Sequence, residues 1–369
     1  MSESSQPTFR DVSRLLAEGL AEGSFPGAVL LVGYEGQLVF EEAVGDAAQR
    51  PLPRRMTLDT MFDLASLTKP IATTTALMLL ADTARVGLDT PIQTYLQACG
   101  QTDQRAPSVR QLLAHCAGLP AWRPYYLTVD PSLPQDHRKT RLYQAVHAEP
   151  LSALPGTTLR YSDLGFILLG ELVETIVGMA LDEFCTQAIF RPLALTEMRF
   201  IDLDRPRPLA LPFASTEDCP WRKRVLHGEV HDENAWIMGG VAGHAGLFAT
   251  GREVWRFAEG LLGGLCGHPW LVSRATLRAF VQRQSMPRES TWALGWDTPT
   301  PGRSTSGQYF SSDAIGHLGF TGTSLWIDPQ QHVSVVLLTN RIHPSRQREG
   351  IRTFRPAIHD AVMQALRLQ

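Results

Sequence analysis

Ser66-Leu67-Thr68-Lys69 stands at the junction of two unlike stretches. Met61 to Ala65 is a short apolar approach, and Thr68 to Arg85 reads as one long buried helix. Pro70 falls in the first turn of that helix, where no N–H is needed. Near a helix start, positions i and i+3 share a face, so the Ser66 oxygen and the Lys69 nitrogen are expected to meet. A neutral lysine amine can take the serine proton there, and helix N–H groups suit a developing oxyanion. The plainer alternative is a helix-capping serine followed by a solvent-facing lysine. The motif occurs once, and the chain has only three lysines, Lys69, Lys139 and Lys223, among 34 basic residues. Arginine does not shed its proton and lysine can, so a lysine kept at 69 points to a role arginine cannot fill. A genome rich in G and C would also leave few lysines.

Working outward, Ala28–Tyr34 and Leu38–Val44 are β-rich runs joined by Glu35-Gly36-Gln37, the pattern of a hairpin. Phe9–Leu20 has helical periodicity and ends near Gly23. From about Asp89 to Asn234 prolines are frequent, with helical pieces at Val109–His115 and Leu164–Val177. Sheet-like patterning returns at Gly322–Asp328 and His332–Thr339, and a helix near Pro356–Leu368 closes the chain. The expectation is an α/β (α+β) fold, an antiparallel sheet flanked by helices with an inserted, mainly helical lobe. Residues 1–88 and 240–369 would form one discontinuous domain, residues 89–239 the lobe, and a site would lie between them.

The net charge of −3 and a pI near 6.4 argue against a nucleic-acid surface. Met1 to Arg10 is polar, and no stretch reaches the roughly 18 uninterrupted apolar residues of a membrane helix. The expected location is therefore cytoplasmic. Cys99, Cys116, Cys185, Cys219 and Cys266 are scattered and odd in number, which suits reduced, mostly buried thiols. Neither a G-x-S-x-G elbow nor a P-loop is present. His227-Gly228-Glu229-Val230-His231-Asp232-Glu233-Asn234 lacks the His-Glu-x-x-His zinc pattern, and neither a metal nor an organic cofactor is expected.

Two further segments could carry chemistry. Tyr161-Ser162-Asp163 precedes the helix at Leu164, where Asp163 would make an N-cap and Tyr161 a core aromatic. The alternative is a tyrosine that shuttles a proton. Gly316-His317-Leu318-Gly319-Phe320-Thr321-Gly322 precedes a strand, either as a plain turn or as backbone that a ligand can approach.

S-x-x-K, then Y-x-N or Y-x-D, then a K/H-x-G strand, in this order, resembles the serine β-lactamases, penicillin-binding proteins and their esterase relatives. Phe25-Pro26-Gly27-Ala28, Arg110 to His115, Gly118-Leu119-Pro120 and Gly319 to Pro329 are similar to stretches of the same family, so the likeness runs from about Phe25 to Asn340. It is nearest the branch of class C β-lactamases, D-aminopeptidases and esterase homologues. The resemblance implies Ser66 as nucleophile, Lys69 as base and Tyr161 as proton relay. The backbone N–H groups of Ser66 and Phe320 would form the oxyanion hole. Asp163, His317, Gly319, His231 and Asn234 would lie on the substrate side. Two positions depart from the pattern, Asp163 where many relatives have Asn and His317 where they have Lys. The implied activity is hydrolysis of a small ester or amide through an acyl-enzyme. Acyl transfer, D-amino-acid peptidase activity and a catalytically silent binding protein are the alternatives. The implied partner is a small acyl substrate, and the sequence leaves the oligomeric state open.

Overall fold

The computed structural model describes residues 9–96, 106–208 and 210–367. Its strands are β1 (Gly27–Tyr34), β2 (Gln37–Ala48), β3 (Arg54–Arg55), β4 (Phe62–Asp63), β5 (Arg199–Phe200), β6 (Asp218–Cys219), β7 (Arg224–Val225), β8 (Leu247–Ala249), β9 (Ile315–Leu318), β10 (Ser324–Asp328) and β11 (Val333–Thr339). The helices are α1 (Arg10–Ala21), α2 (Thr75–Asp82), α3 (Val109–Leu113), α4 (Gln135–His147), α5 (Asp163–Val177), α6 (Leu181–Cys185), α7 (Glu233–Ile237), α8 (Gly251–Cys266), α9 (Arg274–Val281) and α10 (Ile351–Arg367).

The expected hairpin, turning at Glu35-Gly36, lies inside a six-stranded antiparallel sheet of order β3-β2-β1-β11-β10-β9. Strand β1 joins the first strands of the chain to the last, with Ala28 opposite Thr339 and Tyr34 opposite Val333. Its side chains alternate between two cores. Val29 and Leu31 pack in the larger one with Val254, Phe257 and Leu261 of α8. Ala28, Leu30 and Val32 pack in the smaller one with Val12 and Leu16 of α1 and Phe354, Ile358 and Val362 of α10. A strand covered on both faces must be apolar throughout, which β1 is.

The expected long helix after Ser66 forms with an uneven start. A 3-10 turn, Ala65–Leu67, leads through Thr68 into a wide π turn, Lys69–Thr74, before α2 begins. Strand β4 precedes that turn and pairs with β8, which also pairs with β5. Residues 243–247 are thereby drawn beside the Ser66–Lys69 turn. The closing helix starts at Ile351, upstream of the expected Pro356, because Ile351 and Phe354 are buried in the smaller core. The glycine-flanked His317 lies within strand β9 itself, where a Cβ at Gly316 would come 2.3 Å from the Trp326 ring of β10.

Cys116, Cys185 and Cys219 are buried thiols, and Cys266 is an exposed one. Cys99 and the start of the polar amino-terminal segment lie outside the described residues. Among the described residues no single helix is long and apolar enough to cross a membrane.

Candidate active site

Asp63, at the end of β4, sets the turn that carries Ser66. Its buried carboxylate accepts from the Ala65 N–H at 2.9 Å and from the His231 N–H at 2.7 Å. Burial raises its pKa, and those two donors oppose the rise. Ala65 adopts φ +48°, a left-handed conformation unfavourable for a residue with a Cβ. From Met61 to Met78, Ser66 alone is not buried.

Lys69 is fully buried beneath it. Its Nζ donates to Ser66 Oγ at 2.9 Å and to the His244 carbonyl at 3.1 Å, and lies 2.7 Å from Asp163 Oδ1. Ser66 and Lys69 both act on the Tyr161 hydroxyl in favour of its phenolate, and the ammonium sits 4.9 Å from the Tyr161 ring centre. Burial pushes Lys69 towards the neutral amine, but Asp163 and Tyr161 outweigh it, so its pKa is raised and Lys69 is a cation. This departs from the neutral amine expected from sequence, and the cause is the carboxylate at residue 163. Burial also raises the Tyr161 pKa, against the pull of Lys69.

The Tyr161-Ser162-Asp163 segment is held from the Arg110–His115 stretch. The His115 carbonyl accepts from the Arg160 N–H, and His115 Nδ1 accepts from the Ser162 N–H at 3.1 Å. Burial, together with Lys69 and His317, keeps His115 neutral, as an acceptor at Nδ1 requires. Ser162, not Asp163, caps α5, accepting from the Gly165 N–H; Asp163 is the first helical residue. The His115 ring lies 4.4 Å from the Tyr161 ring and meets Trp292 edge-on at 4.5 Å. The sequence offers no signal for Trp292, which arrives from a distant loop.

The Gly319–Gly322 turn rests on the approach to Ser66. Thr321 Oγ1 donates to the Asp63 carbonyl at 2.8 Å and Thr323 Oγ1 to the Leu64 carbonyl at 3.0 Å. A Cβ on Gly319 would lie 2.6 Å from the Leu64 carbonyl oxygen, so the approach requires glycine. Among the described residues no acceptor meets the N–H of Ser66 or of Phe320, as an oxyanion hole requires. Phe320 lines the cavity with an exposed ring, 5.6 Å from that of His231 and 4.7 Å from the Arg341 guanidinium carbon.

These groups border a cavity of about 650 Å³, whose lining includes Ser66, Tyr161, Asp163, His317, Trp122 and Trp292. His317 is buried, and burial and Lys69 push its pKa down to about 3, so it presents a neutral ring. His231 reaches the wall, but its Nε2 pairs with Glu217 at 3.1 Å. Asn234 does not belong to the site. It is fully buried, accepting from the Tyr126 N–H at 3.0 Å and donating to the Arg123 carbonyl at 2.8 Å. Asp163, expected to face substrate, is first a partner of Lys69. His227 is engaged by Arg54 at 3.1 Å, and among the described residues no three His, Cys, Asp or Glu side chains converge as metal ligands.

A family model described as Beta-lactamase matches residues 12–358. A chain from Escherichia coli O157:H7, provisionally named a D-alanyl-D-alanine carboxypeptidase, is 32% identical over 354 residues, covering 87% of this chain and 80% of the relative. Its counterpart in Escherichia coli strain K12 is 31% identical, covering 86% and 79%. Among solved structures, EstCE1, a hydrolase with promiscuous acyltransferase activity, superposes with a TM-score of 0.74 at 22% identity, covering 95% of this chain and 97% of its own. The penicillin-binding protein homologue from Pyrococcus abyssi gives 0.70 at 18% identity, covering 97% and 77%. At these identities the structural likeness concerns the fold.

Proposed function

Since the chain belongs to the beta-lactamase family, shared with penicillin-binding proteins, we propose that it is an acyl-serine hydrolase of small esters or amides with Ser66 as nucleophile. The observation that carries the reading is Ser66 Oγ, open to the cavity and 2.9 Å from a buried ammonium. With Lys69 held as a cation, the competent form of the pair is the Tyr161 phenolate beside the Lys69 ammonium. Tyr161 takes the Ser66 proton as Oγ bonds to the substrate carbonyl carbon, and the carbonyl π pair moves to the oxygen. The oxyanion sits on the N–H groups of Ser66 and Phe320. Collapse breaks the bond to the leaving group, which receives the proton from Tyr161. Water then gives a proton to Tyr161 and attacks the acyl carbon, and collapse returns that proton to Ser66 Oγ.

The wall favours uncharged substrates. His317 is neutral, two guanidiniums of the wall, Arg341 and Arg346, are already engaged, and Arg355 is turned to the Gly319 and Thr323 carbonyls. Arg341 donates to the Phe320, Arg346 and Arg348 carbonyls, and Arg346 is paired with Glu217 and Glu233. Turnover of p-nitrophenyl butyrate should exceed that of nitrocefin or of a D-alanyl-D-alanine peptide, both of which carry a carboxylate. The purified protein, assayed on all three, should lose ester turnover by several orders of magnitude on Ser66→Ala with an unchanged fold. A variant that keeps most of its turnover removes Ser66 as nucleophile, and efficient nitrocefin hydrolysis by the wild type overturns the substrate class.

A further inference from the structure

Arg355, on α10, is a buried cation with no anion. Its side chain borders the cavity, the residue is 7% exposed, and among the described residues no carboxylate pairs with it. Burial and the neighbouring Arg341 lower its pKa to about 9, which leaves it charged at neutral pH. One terminal nitrogen donates to the Gly319 carbonyl at 2.9 Å and to the Thr323 carbonyl at 2.8 Å, while Nε has no partner. A desolvated, unpaired guanidinium is costly, so a fold that keeps one calls for an explanation.

The Gly319 carbonyl belongs to the same peptide unit as the Phe320 N–H. We propose that Arg355 is a positioning residue of the oxyanion hole: by donating to the Gly319 carbonyl it fixes and polarises the peptide whose N–H, at Phe320, meets the oxyanion. A positive charge on the carbonyl end of a peptide strengthens its N–H as a donor, as in any hydrogen-bond chain. The Thr323 carbonyl accepts from the Gly319 N–H at 2.7 Å as well as from Arg355, so one guanidinium holds both ends of the turn. The donor is set before reaction, which is the condition for electrostatic stabilisation of a transition state. This role rests on the hydrolase reading above.

The test compares the wild type, Arg355→Gln and Arg355→Lys, each checked by circular dichroism and thermal melt. Two quantities are read: kcat and KM for p-nitrophenyl butyrate, and Ki for an aryl trifluoromethyl ketone, whose serine hemiketal carries the oxyanion. Arg355→Gln should leave KM within about threefold and lower kcat about 10-fold or more, short of the ~100-fold or more lost when a donor is deleted outright. Ki should rise by a similar factor, and Arg355→Lys should fall between. Should the glutamine variant fail to fold, the lysine variant decides on the same comparison. A folded variant with unmoved kcat and Ki overturns the role. So does a loss confined to KM for a carboxylate-bearing ester, which would make Arg355 a receptor for substrate charge. A wild type that neither turns over the ester nor takes up the ketone removes both this role and the hydrolase reading, whereas an active wild type with insensitive variants removes this role alone.

Discussion

A lysine sealed from solvent ordinarily gives up its proton, and Lys69 is kept from doing so by the Asp163 carboxylate 2.7 Å away. The scarcity of lysine makes this directly measurable. With three lysines in the chain, labelling of lysine side chains yields three ammonium signals, which Lys139→Arg and Lys223→Arg assign by elimination. In the wild type Lys69 should titrate above its ordinary value of 10.5. In Asp163→Asn, which keeps the shape and removes the charge, burial is opposed by Tyr161 alone and the pKa should fall below that of the wild type. The activity follows in sign. A phenolate base with a raised pKa makes kcat/KM climb with pH through the neutral range, about tenfold per unit. Asp163→Asn should move that limb towards acid, because a neutral Lys69 can then serve as base. Identical titrations in the two proteins would show that the carboxylate does not set the charge.

At the scale of elements, the site depends on two turns pressed together. The Leu64–Ala65 backbone and the Gly319–Gly322 turn are joined by the Thr321 and Thr323 hydroxyls and leave no room for a side chain at 319. Gly319→Ala should therefore displace the Phe320 N–H and lower kcat by about 100-fold, as for loss of an oxyanion donor, with far less effect on KM. An alanine variant with normal kcat would show that the turn yields without disturbing the donor. The elements most legible in sequence were those whose pattern matches their burial, such as β1, the buried α5 and the helix after Ser66. Helix α8 escaped the reading because Gly251, Gly260, Gly263 and Gly264 break a helical pattern. Tertiary contact explains them, since a Cβ on Gly251 would lie 2.4 Å from Leu31 and one on Gly264 2.9 Å from Trp270. Asn234 was misplaced for a related reason. It neighbours Asp232 in sequence, but Asp232 caps α7 and the first turn of that helix buries Asn234.

Across the whole molecule, distant segments meet in a charged cluster beside the cavity. Glu217 accepts from Arg346 and pairs with His231, and Arg346 also reaches Glu233. Burial works to raise the Glu217 pKa, yet His231 and Arg346 pull it down to about 2, from an unfolded value near 4.5. A carboxylate whose folded pKa is depressed contributes stability above its unfolded pKa and loses it as pH falls through the folded one. Glu217→Gln should therefore lower Tm at pH 6, and the difference from the wild type should shrink between about pH 4.5 and pH 2. A difference that persists unchanged at pH 2 would show that packing, not charge, is what Glu217 supplies.

Order and spacing along the chain were enough to determine the family, the nucleophile candidate and its lysine and tyrosine partners. They lie in local turns and caps, Ser66–Lys69 at one helix start and Tyr161–Asp163 at another, and local structure is written in short-range pattern. Tertiary structure alone decided the charge state of the site. Lys69 and Asp163 are 94 positions apart, Arg355 and Gly319 are 36 apart, and a pKa depends on burial and on what lies within a few ångströms. Neither quantity has a signature in spacing.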